Sequence, residues 1–97
     1  MAFFMETFFV YAIQSQLDGR IYVGMTHDIP QRMAQHNAGK NRSTKAYRPW
    51  ILLFQKPYNS RAEARIGEKY YKSGCGKEFL KKLKKEAGKT SCKTEID

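Results

Sequence analysis

The chain has 97 residues, a formal net charge of +9 and a mean hydropathy of −0.67, which predicts one small domain. Its 41% hydrophobic and 13% aromatic residues suffice for a modest core, which excludes a wholly disordered chain. No apolar run approaches the ~20 residues of a membrane-spanning helix, and two cysteines without a disulfide framework fit a reducing cytoplasm.

Charge is divided unevenly along the chain. Residues 1–39 carry two basic and three acidic residues, whereas residues 40–97 carry 16 basic and six acidic ones. A basic half joined to a near-neutral half predicts a polyanionic partner, and nucleic acid is the leading candidate. Charge alone leaves open a basic protein that binds no specific anion.

The first predicted elements are two strands joined by a turn. Aromatic and β-branched residues from Phe8 to Ile13 favour a strand. Asp18-Gly19 is a turn dipeptide, and Arg20 to Met25 predicts the returning strand. In such a hairpin Tyr11 and Tyr22 lie on neighbouring strands, where they can share one face of the sheet.

A helix is predicted after the hairpin. Thr26 or Asp28 can supply its N-cap, and Gly39 ends it. Arg32 and His36 are four residues apart, so they lie on one side of this helix. Both polar side chains can therefore act at the same place.

A loop and a third strand come next. The segment from Lys40 to Arg48 is polar and basic, which is typical of a loop. Trp50 to Phe54 is a continuous apolar run, which predicts a strand buried on both faces.

Two more helices are predicted in the remaining sequence. Ser60 and Glu63 have capping-box spacing, and Ala62, Ile66 and Tyr70 form the predicted core stripe of the helix that they begin. A glycine-containing break separates this helix from a lysine-rich final one. The order strand, strand, helix, strand, helix, helix predicts an α+β fold, a mainly antiparallel three-stranded sheet flanked by helices. The expected organisation is a single domain at 1–88 and a flexible tail at 89–97.

Five side chains are candidates for phosphodiester chemistry: Tyr11, Tyr22, Arg32, His36 and Glu68. Cleavage needs a base, neutralisation of phosphate charge and help for the leaving oxygen, and a metal ion can supply the last two. An arginine fork binds oxyanions, and histidine exchanges protons near neutral pH. A lone carboxylate suits magnesium, because magnesium keeps most of its waters.

Each candidate also has an ordinary structural interpretation. Tyrosines are common packing residues in strands, and Arg32 and His36 can be solvated helix residues. Glu68 can form an i, i+4 ion pair with Lys72. Spacing alone does not decide between these interpretations.

The ordered set resembles the GIY-YIG nuclease family, in particular its small single-domain bacterial members and the amino-terminal domain of the excision-repair nuclease. Phe9-Val10-Tyr11 stands at the first tripeptide of the signature and Tyr22-Val23-Gly24 at the second. Arg32, His36 and Glu68 match the family's helix residues and its metal-binding glutamate. The resemblance covers roughly residues 7–83, although Phe9 and Val10 replace the first two signature letters.

The resemblance implies a DNA endonuclease that depends on Mg²⁺ or Mn²⁺. A water would be deprotonated by Tyr11, or by His36 if the tyrosine only orients it. Tyr22 would support this network, Arg32 would hold the scissile phosphate, and Glu68 would bind the metal. The expected substrate is DNA, branched or nicked, with RNA left open.

The nucleic-acid contacts expected from charge and resemblance come from the loop and the final helix: Lys40, Arg42, Lys45, Arg48, Lys77 and Lys81. The implied role is structure-selective cleavage in DNA repair or recombination, with a protein partner able to direct specificity. One alternative is a catalytically weak nucleic-acid-binding module of the same fold. Another is a basic domain that binds a protein.

Overall fold

The computed structural model describes the backbone of residues 7–96 and the side chains of residues 7–85. Its elements are β1 (Phe8–Ser15), β2 (Ile21–Thr26), α1 (Ile29–Asn37), β3 (Trp50–Tyr58), α2 (Arg61–Lys72) and α3 (Gly74–Ile96). A 3₁₀ turn at Lys45–Tyr47 precedes β3. The predicted α+β class and order of elements are confirmed. The backbone of α3 continues past residue 88, whereas the domain boundary and the flexibility of the tail stay predictions.

The three strands form one antiparallel sheet in the order β2-β1-β3. In the β1–β2 register Tyr11 is opposite Gly24, and Ile13 is opposite Tyr22. Directly opposed residues of an antiparallel pair point to the same face, so Tyr11 and Tyr22 share a face, as the hairpin pattern predicted.

Strand β1 is the centre of the molecule, because helices cover the sheet on both sides. On one face Tyr11 and Ile13 pack with Ile29 of α1 and with Trp50. On the other face a larger apolar cluster joins the sheet to α2 and α3, and it contains Phe8, Val10, Ala12, Val23, Ala64, Tyr71 and Leu80. We call these the α1 face and the α2–α3 face.

The prediction that β3 is buried on both faces is wrong. β3 pairs only with β1 and forms an edge of the sheet, and Ile51 and Leu52 are 42% and 37% exposed. The pairing also contains a bulge, because Leu52 is opposite Ile13 while Phe54 is opposite the adjacent residue Ala12. The side chains of an apolar edge strand can therefore point to the two faces alternately, although the strand itself is not buried on both.

The predicted core stripe of α2 is also wrong. Ile66 is 69% and Tyr70 50% exposed, and Ala62 is exposed as well. The buried residues are Ala64, Gly67 and Tyr71. Gly67 is decisive, because any side chain there would collide with the hydroxyl of Tyr58. The helix approaches the sheet through a glycine, which a search for large apolar residues does not count.

The predicted starts of α1 and α2 are confirmed, whereas α3 already begins at Gly74, within the predicted break. The Asp28 carboxylate accepts a hydrogen bond from the backbone N–H of Gln31 at 3.0 Å, and the Ser60 hydroxyl accepts one from Glu63 at 3.2 Å. Gly39 follows α1 with a φ of +82°, a conformation that favours glycine. Within residues 7–96, no helix combines the length and the apolar character needed to cross a bilayer.

Candidate active site

Tyr11 occupies the middle of the central strand, with its phenol lying across the neighbouring strand at Gly24. A Cβ atom at position 24 would stand 2.6 Å from the Tyr11 hydroxyl oxygen and 2.8 Å from the adjacent ring carbon. The glycine therefore provides the space that the phenol fills. Tyr11 is 1% exposed, so its position is fixed on every side.

The Tyr11 hydroxyl is hydrogen-bonded to a histidine on the helix that covers this face. Its oxygen lies 2.8 Å from Nε2 of His36. The other ring nitrogen, Nδ1, lies 2.7 Å from Oγ1 of Thr44. His36 and Thr44 have no exposed surface, so the three side chains form a buried chain of hydrogen bonds.

The surroundings of Thr44 favour one direction for these hydrogen bonds. The Thr44 hydroxyl donates, at 3.5 Å, to the carbonyl oxygen of Asn41, which leaves its lone pairs to accept from the Nδ1–H of His36. A neutral imidazole with a proton on Nδ1 accepts at Nε2, so Tyr11 donates to it. The carbonyl of Thr44 is in turn held by the indole N–H of Trp50 at 2.9 Å.

Tyr22 contacts the same histidine from β2. Its ring meets the His36 ring edge-on, with the centroids 5.3 Å apart, and the Trp50 ring at 6.4 Å. Unlike Tyr11, Tyr22 is only partly buried. It forms the solvent-side boundary of the histidine pocket.

Arg32 lies one turn before His36 on α1, and its charge acts on both titratable groups. Burial raises the pKa of Tyr11 above its ordinary 10.0, Tyr22 raises it further, and the charge and hydrogen bonding of Arg32 act in the opposite direction. Burial, and then the charge of Arg32, lowers the pKa of His36 below its ordinary 6.5. His36 is therefore neutral at pH 7 and able to accept a proton.

Glu68 lies on α2, and its carboxylate is 3.3 Å from the ammonium of Lys72, which is the i, i+4 ion pair expected from spacing. Its charge is the last and smallest of the influences on the pKa of Tyr11, which it raises. The Glu68 side chain is 21% exposed and open to a ligand.

The residues present fit a metal ion held by few protein ligands. Among the residues whose placement is described, no group of three or more His, Cys, Asp or Glu could hold a metal. Mg²⁺ and Mn²⁺ accept one carboxylate together with waters and phosphate oxygens. Glu68 meets that requirement, and a site closed by several protein ligands is not formed by the described residues.

The predicted nucleic-acid contacts fall on two different surfaces. Lys40, Arg42, Lys45 and Arg48 are exposed on the segment that carries Thr44, and Tyr47 of this segment packs on the α1 face. Lys77 and Lys81 are exposed on α3, which packs on the α2–α3 face through Leu80.

Sequence reasoning missed two residues that shape the site. Thr44 appeared to be an ordinary loop residue, and Trp50 an ordinary core residue, yet together they fix the ring of His36. Asn37 contributes as well, because its side chain accepts from the N–H of Trp50 at 2.7 Å and donates to its carbonyl at 3.1 Å. The available signals were the hydrogen-bonding residues beside His36 and in the loop, and the resemblance of residues 44–50 to the pattern of the small family members.

Comparisons with known proteins identify the family to which the chain belongs. The chain matches the family model of the GIY-YIG catalytic domain over residues 7–90. A UPF0213 protein of Staphylococcus haemolyticus is 34% identical over 80 residues, which cover 81% of this chain and 96% of that protein. One from Staphylococcus epidermidis is 38% identical over 61 residues, which cover 62% and 73%.

Among solved structures, the solution structure of a UPF0213 protein from Bacillus halodurans is 32% identical and covers 80% of this chain and 85% of that one, with a TM-score of 0.48. The family match spans the three strands, α1, α2, most of α3 and all five candidate residues. The chain belongs to the GIY-YIG family, and its relatives include small UPF0213 proteins.

Proposed function

We propose that this protein is a metal-dependent endonuclease that hydrolyses phosphodiester bonds in DNA. The observation that carries the proposal is the buried hydrogen bond between the Tyr11 hydroxyl and Nε2 of a neutral His36. A tyrosine in a strand needs no buried histidine partner for packing. A tyrosine that must lose its proton needs one.

The two residues divide the work of a general base. Both ring nitrogens of His36 are already hydrogen-bonded, so it takes the proton that Tyr11 gives up rather than one from water directly. Tyr11 accepts the proton of the attacking water at its oxygen, while its own proton passes to Nε2 of His36. The resulting hydroxide attacks phosphorus, and the negative charge never rests on the tyrosine, whose ionisation is disfavoured by burial.

Charge neutralisation comes from the other candidates. Arg32, whose charge already acts on Tyr11 and His36, binds the non-bridging oxygens of the scissile phosphate. A divalent ion held by Glu68 and phosphate oxygens would supply Lewis-acid stabilisation of the leaving 3′ oxygen. Glu68 releases Lys72 when it takes this role, and Tyr22 closes the pocket beside His36.

The proposed function extends to the DNA substrate and to the cellular process. We expect branched or nicked DNA to be preferred, with a role in repair or recombination in the cytoplasm and specificity directed by a protein partner. RNA is a substrate to include in the test. The exposed basic loop residues Lys40, Arg42, Lys45 and Arg48 offer phosphate contacts beside the α1 face.

Cleavage assays on intact, nicked and branched DNA, with RNA in parallel, test the proposal. Reactions contain Mg²⁺, Mn²⁺ or EDTA. Tyr11→Phe and Glu68→Gln should each lower the rate by about 10²–10⁴-fold while leaving the fold intact, because each removes a group assigned to the reaction and keeps nearly all of the side-chain volume. Circular dichroism melting checks the fold.

Two conservative variants serve as matched controls. Glu63→Gln removes an exposed carboxylate from the same helix as Glu68, and Tyr58→Phe removes a hydroxyl on the α2–α3 face. Both should cut at the wild-type rate. If Tyr11→Phe and Glu68→Gln cut as fast as these controls, the proposed site is wrong. A folded wild type that binds DNA and cuts none of it would instead establish the binding-module alternative.

A further inference from the structure

A groove of about 550 Å³ runs between the β1–β2 hairpin and α3. Its floor is formed by apolar and aromatic side chains, Tyr22, Val23 and Leu80 among them. Five cationic side chains line it: Arg20, Lys72, Lys77, Lys81 and Lys84. The lining contains a single acidic residue, Asp18, so the groove is strongly electropositive.

Asp18 does not neutralise the positive charge of the groove. Oδ2 of Asp18 lies 2.8 Å from Nε of Arg20, and hydrogen bonds from Arg20 lower the pKa of Asp18. The pair is locally neutral. Neither of the described salt bridges involves Lys77, Lys81 or Lys84. These lysines of α3 therefore supply the net positive charge of the groove.

The lysines are aligned along the groove. Lys77, Lys81 and Lys84 stand at i, i+4 and i+7 on α3, which places them on one side of the helix over about 10 Å of its axis. Lys84 is fixed at the far end, since its ammonium donates to the carbonyl of Gly19 at 2.8 Å. Lys82 and Lys85 belong to the same helix but do not line the groove.

Two residues that line the groove also contact candidate catalytic residues. Tyr22 lines the groove and also contacts His36. Lys72 lines the groove and also pairs with Glu68 at 3.3 Å. The row of lysines therefore leads away from the residues assigned to the chemistry and towards the hairpin turn.

We propose that this groove binds the phosphodiester backbone of the DNA substrate on one side of the scissile phosphate. The identity of the ligand, DNA, rests on the proposed function, and the location of the binding site rests on the residues that line the groove. Lys77, Lys81 and Lys84 contact successive phosphates, and the apolar floor contacts sugar and base surfaces. The second basic surface, at residues 40–48, lies outside this groove and is not needed for it.

Binding without cleavage tests the groove separately from catalysis. The probe is a fluorescein-labelled nicked DNA duplex in EDTA, titrated with the full chain and followed by fluorescence anisotropy across a range of salt concentrations. Lys77→Gln/Lys81→Gln is compared with Lys82→Gln/Lys85→Gln, which makes the same change of charge on the same helix outside the groove. Circular dichroism melting confirms that both variants are folded.

The groove variant should bind roughly 50-fold more weakly at ~0.1 M salt and should lose about two units of the slope of log K against log salt. The control pair should keep nearly the wild-type affinity and slope. Equal losses in the two variants, no loss in either, or no binding by the wild type would each overturn the proposal.

The cleavage assay separates this inference from the proposed function. If Tyr11→Phe abolishes cleavage and the groove variant binds and cuts like wild type, the nuclease stands and the groove is wrong. If the groove variant alone loses binding while Tyr11→Phe cuts normally, the groove stands and the proposed catalytic residues are wrong.

Discussion

The two faces of the sheet are built from the same strand but held together by different forces. On the α2–α3 face, Val10 and Ala12 contact an apolar cluster whose stability comes from removing hydrocarbon from water. On the α1 face, Tyr11 begins a chain of hydrogen bonds through His36 to Thr44. Among the residues with described side chains, no buried polar side-chain atom lacks a partner.

This contrast indicates how a chain of 97 residues carries both a core and a reactive site. The alternation of a strand sends neighbouring residues to opposite faces. Substitutions in the buried apolar cluster of the α2–α3 face should therefore change the free energy of unfolding, whereas substitutions on the α1 face should change reactivity first. Four variants or conditions can break or sharpen this separation.

The largest effect is expected for Gly24→Ala, which acts on both quantities. The new methyl group would meet the Tyr11 hydroxyl at 2.6 Å, so the phenol must move away from His36. We expect a loss of about 1–3 kcal/mol in unfolding free energy together with a severe loss of cleavage. Denaturant unfolding and the nicking assay measure the two. Wild-type cleavage by this variant would contradict the assigned contact.

A purely structural loss is expected for Val10→Ala. Val10 has no exposed surface and packs in the α2–α3 cluster, so truncation should cost about 2 kcal/mol. The cleavage rate per folded molecule, measured well below the melting temperature, should not change. A rate loss as large as that of Tyr11→Phe would show that the two faces are not separable.

A smaller effect is expected for Thr44→Val, which keeps the volume and removes the hydroxyl beside Nδ1 of His36. Loss of this hydrogen bond should cost about 1–1.5 kcal/mol, or roughly tenfold in rate. Nitrogen NMR of the imidazole should show a change in tautomer. Thr44→Ser should restore both readouts. An unchanged ring spectrum in Thr44→Val would refute the positioning role.

The smallest effect concerns pH. Burial and Arg32 lower the pKa of His36 below 6.5, so the unfolded chain takes up a proton at a pH where the folded one does not. The stability supplied by neutral His36 is complete above pH ~6.5 and is lost as pH falls towards the folded-state pKa. The melting temperature should fall over this range less steeply in His36→Gln. Identical slopes would mean that His36 is not the group responsible.

Much of the fold could be predicted from local patterns. The strand residues around Tyr11 and Tyr22, the turn at Asp18-Gly19 and the caps at Asp28 and Ser60 each depend on neighbours in sequence. Local chemistry of this kind fixes where elements begin and end. It also placed the two tyrosines on one face.

The features that could not be predicted depend on contacts between residues distant in sequence. The apolar content of β3 does not reveal that the strand lies at an edge, which is decided by its pairing with β1 alone. The stripe through Ile66 contains a larger apolar side chain at its centre than the buried stripe does, but Gly67 permits the closer approach to Tyr58. Thr44 could not be found, because its role depends on the loop returning to His36.

The bulge in β3 bears on which insertions and deletions this chain can tolerate. Trp50 serves the α1 face and Phe54 the α2–α3 face, although four residues of uninterrupted alternation would give them a common orientation. Leu53, the extra residue of the bulge, shifts the alternation of side chains by one position between Trp50 and Phe54. Excising that leucine would leave a regular register in which both aromatic rings keep their present faces. Gaining or losing a residue in the exposed stretch around Arg42 would leave both orientations untouched as well.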